Sequence, residues 1–484
     1  MAFEQSIKRY RLSDLIKMSA MLSQRLWNNN EPIAKLTRLD SSRFIKGVLR
    51  QSGPTSLTPW HLVDIVFYGI KLSSGDFGIS RPSEHDFLTL YNEYLEYEND
   101  QSGIIYKDLP PKDALFYMLF GLGQKTFWFQ ERQKLHFANF RFYQMLYSLP
   151  KRHSDLPKYY SYIENSYGCT FEAYHIASMV LVWLAGNNNV INLPLKFEDS
   201  PRLKGVNNEL VNALLQDYIS EYDSVRRSSL EARALYLTPV LRSTEHELLV
   251  SSAFLLARKG FTNLYWESRR LCLAQDRTEL NLSLGQAFER YVDELMERFL
   301  PKEKYRRLPP SEHRKRADLI LFTNAFTIII EQKFAMLNIS QQDVHFDLKR
   351  VDSWLSAFVQ AARQLDETAE EFRENGKPAV KLILFFDNLN IADGLIKDRV
   401  VEIAKATAEG PVSIENLFMI SIDELERLVQ ILGKNEALVE KVIAEKTNRQ
   451  LTRDYAKGVE FDQVMDEMSA ERNEYITSIS PLKE

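Results

Sequence analysis

The chain has 484 residues, 45% of them apolar and 26% charged, with a net charge of −5 and a mean hydropathy of −0.30. That length exceeds one ordinary domain and predicts two or three with sizeable cores, while the negative balance excludes a global basic field, so any nucleic-acid surface has to be a local patch. Two cysteines, Cys169 and Cys272, exclude a disulfide framework, and eight histidines without close Cys/His spacing argue against a structural zinc site.

In chain order, residues 1–280 read as mainly helical, a region for recognising substrate, sensing a signal or binding a protein partner or a second copy. The N-terminus, MAFEQSIKRYRLSDLIKM, has no apolar core followed by a cleavage site and does not read as a signal peptide. In 56–75, Thr58 is placed to cap a helix, Pro59 fits its first position, and Ser-Ser-Gly ends it. Residues 83–97, 110–123, 170–186 and 206–237 carry helical spacing too, and 149–160 and 187–205 read as loops. The longest apolar run, IASMVLVWLAG at 176–186, is about half of what a bilayer crossing needs. With the cysteine usage, this fits a cytoplasmic protein.

The pattern then changes to helix, strands, helix, strand, which predicts an α/β domain over 281–432 with a small mixed sheet flanked by helices. Residues 284–301 form an amphipathic helix stopped by Pro301. ADLILF (317–322) and FTIIIEQK (326–333) are strands around a turn at 323–325, and 347–375 is a long helix. AVKLILFFD (379–387) is nearly all apolar, as a strand covered on both faces is, and 417–432 is a short strand running into a helix. Residues 433–484 read as a charged, helical appendage.

Charge sits where these strands should be apolar. Side chains alternate along a strand, so Glu331 and Lys333 share one face and Gln332 takes the other. A turn centred on Asn324 sets Asp318 opposite residue 330, within one position of Glu331. Two carboxylates that close repel, and a divalent cation relieves them: hard oxygens bind Mg²⁺, which polarises a phosphate oxygen and acidifies bound water. A salt-bridged strand end at a sheet edge is the plain alternative.

Asp318, the Glu331-x-Lys333 pair and the upstream Glu289 in GQAFERYV (285–292) resemble the PD-(D/E)xK, or restriction-endonuclease-like, nuclease superfamily. The resemblance covers roughly 285–425 and implies a metal-dependent endonuclease on a restriction-endonuclease-like sheet. It implies that Asp318 and Glu331 hold Mg²⁺, or Mn²⁺ in its place, with the Gln332 main-chain carbonyl. Lys333 would assist the attacking water, and Glu289 would be an auxiliary ligand or position a metal-bound water. Gln360 matches a helix position that some members fill with a polar site residue. Ala317 departs from the Pro of the family's name. Large helical regions joined to such nucleases resemble bacterial anti-phage proteins, and DNA is the favoured substrate. A non-catalytic nucleic-acid-binding or assembly protein on the same scaffold is the competing class.

Beside Asp318, residues 301–317 hold Lys302, Lys304, Arg306, Arg307, Arg314, Lys315 and Arg316 against Glu303 and Glu312. Such a run reads as a phosphate rail or as a solvated loop. Aromatics in 116–147, interleaved with Lys125, Arg132, Lys134 and Arg141, offer stacking faces, although a helix core uses the same residues. His136 and His175 read as core or surface residues rather than ligands. Tyr265, Trp266, Arg269 and Arg270 read as packing at the junction before a nucleic-acid contact.

Overall fold

A computed structural model describes residues 2–29, 57–73, 80–105, 109–130, 132–196, 203, 205–228, 233–275, 279–309, 316–334, 348–372, 376–386, 393–408, 410–451 and 460–479. The chain is a mixed α/β protein with two small mixed sheets. It divides into two compact units, one built mainly from Met1–Phe142 and Tyr159–Arg277, the other from Tyr143–Lys158, Thr278–Gln342 and Phe346–Glu484. The second unit thus includes a segment from before residue 280, and the residues read as an appendage belong to it.

The first unit is mainly helical. Its principal helices are α1 (Leu12–Asn29), α2 (Pro59–Leu72), α3 (Glu84–Ile105), α4 (Phe171–Asn187) and α5 (Ala253–Leu273). Pro59 occupies the first turn of α2 as expected. Thr58, however, makes no side-chain cap; its hydroxyl lies 2.8 Å from His61 Nδ1 and 3.1 Å from the Tyr91 hydroxyl. The apolar run 176–186 lies within α4, buried except for residues such as Trp183. Among the described residues no single helix is long and apolar enough to cross a membrane. Tyr265 is core and stacks on Phe142 at 5.2 Å, and Phe116, Phe120 and Phe142 are buried as well. His175 is buried against Asn139 (2.7 Å), and burial pushes its ring down to about 4, so it stays neutral. The side chains of Lys125 and Arg132 lie outside the described residues.

This unit also holds a small four-stranded sheet that the helical reading did not include: β1 (Val190–Asn192), β2 (Ile219–Ser220), β3 (Val240–Arg242) and β4 (Glu247–Val250), in the order β1-β4-β3-β2. Its strands are two to four residues long, too short to show alternation in sequence. They split the expected 206–237 helix into shorter pieces and place a strand in the expected 187–205 loop.

The second unit is a five-stranded sheet in the order β5 (Tyr305–Arg307), β6 (Leu319–Phe322), β7 (Thr327–Lys333), β8 (Ala379–Phe385) and β9 (Leu417–Ser421). β5, β6 and β7 are antiparallel, and β7, β8 and β9 are parallel. α6 (Leu280–Phe299) covers one face, where Phe288 meets Phe334 and Phe386 with ring centres 6.1 and 5.5 Å away. α7 (Leu348–Glu371) covers the other, where Phe358 meets Phe385 and Asp366 pairs with Lys381 at 2.7 Å. Two covered faces explain why β8 is apolar but for Lys381. α8 (Asp393–Lys405) precedes β9 and went unread in the sequence.

α9 (Ile422–Lys434) begins in a capping box, Ser421 with Glu424, and is buried along most of its length. Its polar side chains hold the chain's end. Glu424 accepts from the Phe461 N–H at 2.7 Å, Glu426 from the Tyr291 hydroxyl at 2.6 Å, and Arg427 donates to the Glu471 and Ala470 carbonyls. Residues 460–476 are therefore part of the packing. Gln144 donates to the Ile479 carbonyl at 3.0 Å and Arg152 pairs with Glu294 at 2.7 Å, which ties the early segment into the same unit.

Two glycines mark close helix contacts. A Cβ at Gly260 would lie 2.4 Å from Val182 Cγ2, and one at Gly433 would lie 2.4 Å from the Phe299 carbonyl oxygen. Gly260→Ala and Gly433→Ala are each expected to destabilise their own unit by about 1–3 kcal/mol, because the neighbours have to shift. Denaturant unfolding followed by fluorescence and by limited proteolysis checks this; an unchanged midpoint for either variant would contradict the close approach.

Candidate active site

The site lies where the start of β6 meets the end of β7, beside the carboxyl ends of the parallel strands. The hairpin connection sets its register. Phe322 pairs with Thr327, so four residues, 323–326, make the turn rather than three. Thr323 Oγ1 accepts from the Phe326 N–H at 2.9 Å, and the Thr323 N–H donates to the Phe326 carbonyl at 3.0 Å. The next two peptide donors are taken from outside: Asn324 N–H by Glu436 (2.5 Å) and Ala325 N–H by Glu440 (2.7 Å), both on α10 (Glu436–Leu451). Leu319 then faces Ile330, the last pair of the ladder, and one step further the same register sets Asp318, just before the strand, against Glu331; the Asp318 N–H donates to the Ile330 carbonyl at 3.1 Å. The register is one residue on from that of a turn centred on Asn324.

The chemistry-bearing side chains meet there. Asp318 Oδ2 accepts from the Gln332 N–H at 2.7 Å. Lys333 Nζ donates to Glu331 Oε1 at 2.5 Å and to Gln364 Oε1 at 3.3 Å. Glu331 is only 2% exposed, and its Oε2 has no donor partner among the described residues. Burial, and then the Asp318 charge, push the Glu331 carboxyl up to about 8 against the pull of Lys333. Burial also raises Asp318, with the Gln332 N–H, Lys333 and Arg307 opposing. Both carboxyls are thus raised, and Glu331, which also feels the Asp318 charge, is pushed further.

Glu289 reaches the group from α6 with half of its side chain open to solvent (50%). Partial burial and the Asp318 charge raise its carboxyl, while Arg307 and Lys333 pull it down. All four catalytic candidates of the sequence thus share one electrostatic neighbourhood. The side-chain amide of Gln332, on the opposite face of β7, is buried with neither end partnered among the described residues.

α7 supplies a residue that the sequence reading missed. The side chain that meets Lys333 is Gln364, one turn beyond Gln360. Its Nε2 also donates to the Arg316 carbonyl at 3.1 Å, and Thr368 Oγ1, a turn further, accepts from the Ala317 N–H at 2.9 Å. One face of α7 therefore grips the backbone just before Asp318. The signal was the i, i+4 repeat of polar residues after Gln360 on an otherwise apolar helix face.

The basic run is less of a rail than its composition suggests. Lys304 pairs with Glu436 (2.7 Å), Arg307 with Asp293 (2.5 Å) and Arg316 with Glu371 (2.7 Å). Lys302 and Arg306 are exposed, and Arg306 makes no ion pair among the described residues. Arg314 and Lys315 lie outside the described residues. Among those described, no group of three or more His, Cys, Asp or Glu is placed to hold a metal ion. The Asp318–Glu331 pair does offer oxygen donors, one of them buried without a partner. Comparisons with family models, curated proteins and solved structures found nothing that matches this chain.

A carboxyl raised by burial has a consequence for stability. A folded-state value above the ordinary one gives a contribution fully present in acid and lost as pH rises towards 8. Glu331→Gln removes that loss. In EDTA its stability relative to the parent is expected to grow between about pH 5 and pH 8 and then level off, since the titration is complete beyond the raised value. Thermal melts across that range test it; a difference independent of pH would show that Glu331 is not the proton carrier.

Proposed function

We propose that the second unit is a metal-dependent nuclease that hydrolyses phosphodiester bonds, with DNA as the favoured substrate. The observation that carries this reading is the register that sets Asp318 opposite Glu331, with Lys333 on the same carboxylate and Glu289 electrostatically coupled to both sides. A salt-bridged strand end needs one acid and one base. Here two carboxyls are forced together beneath the surface at a cost in solvation, which a purely structural role leaves unexplained.

The donor set fits Mg²⁺, a hard cation bound through one or two carboxylates with water filling its remaining positions. Asp318 and Glu331 would hold it with the Gln332 main-chain carbonyl, and Mn²⁺ suits the same oxygens. When bound, it would supply charge to a phosphate oxygen and acidity to a water. The chain's own residues do the positioning. The Gln332 N–H fixes Asp318, and α7 fixes the backbone before it. An ammonium has three donors, and Lys333 spends two of them on Glu331 and Gln364. The third is left for the attacking water or for charge developing on the phosphate.

A binding protein that never cuts is the competing reading. It asks the basic run to be free for phosphates, and three of its members are engaged with carboxylates. The catalytic reading does not depend on that run. Incubation with plasmid, linear and single-stranded DNA and with RNA, in Mg²⁺, Mn²⁺ or EDTA, tests the two. Asp318→Ala and Glu331→Ala are expected to abolish cleavage. Lys333→Ala should slow it roughly 10²–10³-fold while substrate binding persists. Full activity in all three variants would remove the nuclease reading, and binding without cleavage under either metal would favour the competing one.

A further inference from the structure

The two arginines of β5 stand in sequence as neighbours in one basic run, yet the strand turns them to opposite sides. Tyr305 and Arg307 face α6, and Arg306 faces solvent. On α6, Glu289 and Asp293 are one turn apart and share a face. Arg307 bridges them: Nε donates to Asp293 Oδ1 at 2.5 Å, an NH2 nitrogen donates to the Glu289 carbonyl at 3.2 Å, and NH1 lies 4.0 Å from Glu289 Oε2. The strand that carries it is fixed on its other side, where Arg307 pairs with Leu319 and the Leu308 N–H donates to the Asp318 carbonyl at 2.9 Å.

Resting on the nuclease reading, we propose that Arg307 is a positioning residue, which holds the Glu289-bearing turn of α6 against Asp318, and that Arg306 is the phosphate contact of β5. Three carboxylates, Glu289, Asp293 and Asp318, gather at this corner. Without the guanidinium their repulsion would push α6 away from the strand end. A planar fork suits the task, because it reaches a carboxylate and a main-chain carbonyl of successive turns at once, which an ammonium does not. Arg307 is tied to protein on these sides and has little left for a phosphate. Arg306 is exposed, makes no ion pair among the described residues and lies on the strand next to Asp318.

The test separates turnover from binding. Duplex binding is measured in EDTA as a function of salt, and cleavage kinetics in Mg²⁺, for Arg306→Ala, Arg307→Ala, Arg307→Lys, Asp293→Asn and the double variant Arg307→Ala/Asp293→Asn. Arg307→Ala should lower kcat about 10–100-fold, as loss of a supporting partner typically does, with binding and its salt slope kept. Arg307→Lys should recover only part of that loss. Asp293→Asn breaks the same contact from the other side and should lower kcat too, and the double variant should be no worse than the poorer single one. Arg306→Ala should weaken binding for all sequences alike and flatten the salt slope. If Arg307→Ala weakens binding and flattens the slope while kcat holds, or if the Arg307 and Asp293 losses simply add, the assignment is overturned. The parent and Asp318→Ala are run beside these variants, and a parent that does not cleave, or cleavage that survives Asp318→Ala, overturns the nuclease reading separately.

Discussion

The register of one hairpin decides what the second unit can do. Side chains on a strand alternate, so a slip of one residue would move Asp318 away from Glu331 and turn Lys333 and Gln332 to the wrong faces. The pairing is therefore fixed from several sides: by Thr323 closing the turn on Phe326, by Glu436 and Glu440 accepting the turn's outward N–H groups, and by the Gln332 N–H on Asp318. With that register in place, the two carboxyls have to share a small, poorly solvated space, and the raised Glu331 carboxyl follows.

The surroundings offset the charge that this concentrates. Lys333 sits on Glu331, Arg307 on Asp293 beside Glu289, and Arg316 on Glu371 at the edge of α7. The effect of these contacts is directional. Arg307 joins α6 to β5 beside the carboxyls, while Arg316 and the Lys333 bond to Gln364 join α7 to the strand end, so both helices are held to the corner.

Much of this was legible in the sequence, and the failures have physical causes. The strands β6, β7 and β8 announce themselves by apolar, β-branched runs, and the misplaced charges by interrupting them. The exact pairing was not legible, because turns of three and four residues differ only in how Thr323 uses its hydroxyl. β5 was hidden: three residues of Tyr-Arg-Arg inside a basic run show no apolar alternation, and the strand is made by its neighbour. The basic run looked free because its partners are remote in sequence; Glu436 lies 132 residues beyond Lys304. Gln360 and Gln364 lie on the same helix one turn apart, and only the depth of the sheet beneath shows that Gln364 meets Lys333. In the first unit, strands of two to four residues carried too little pattern to be told from helix ends and loops.

The clamp on the hairpin turn bears on the order in which the molecule is made. Asn324 and Ala325 find their acceptors 112 and 115 residues later in the chain. During synthesis from the N-terminus, the two strands and the turn emerge long before α10 does, and in that interval the turn's N–H groups have only water to bond. The clamp on the turn closes only when α10 arrives. A nascent chain that stops short of α10 would carry every residue of the corner while lacking that clamp.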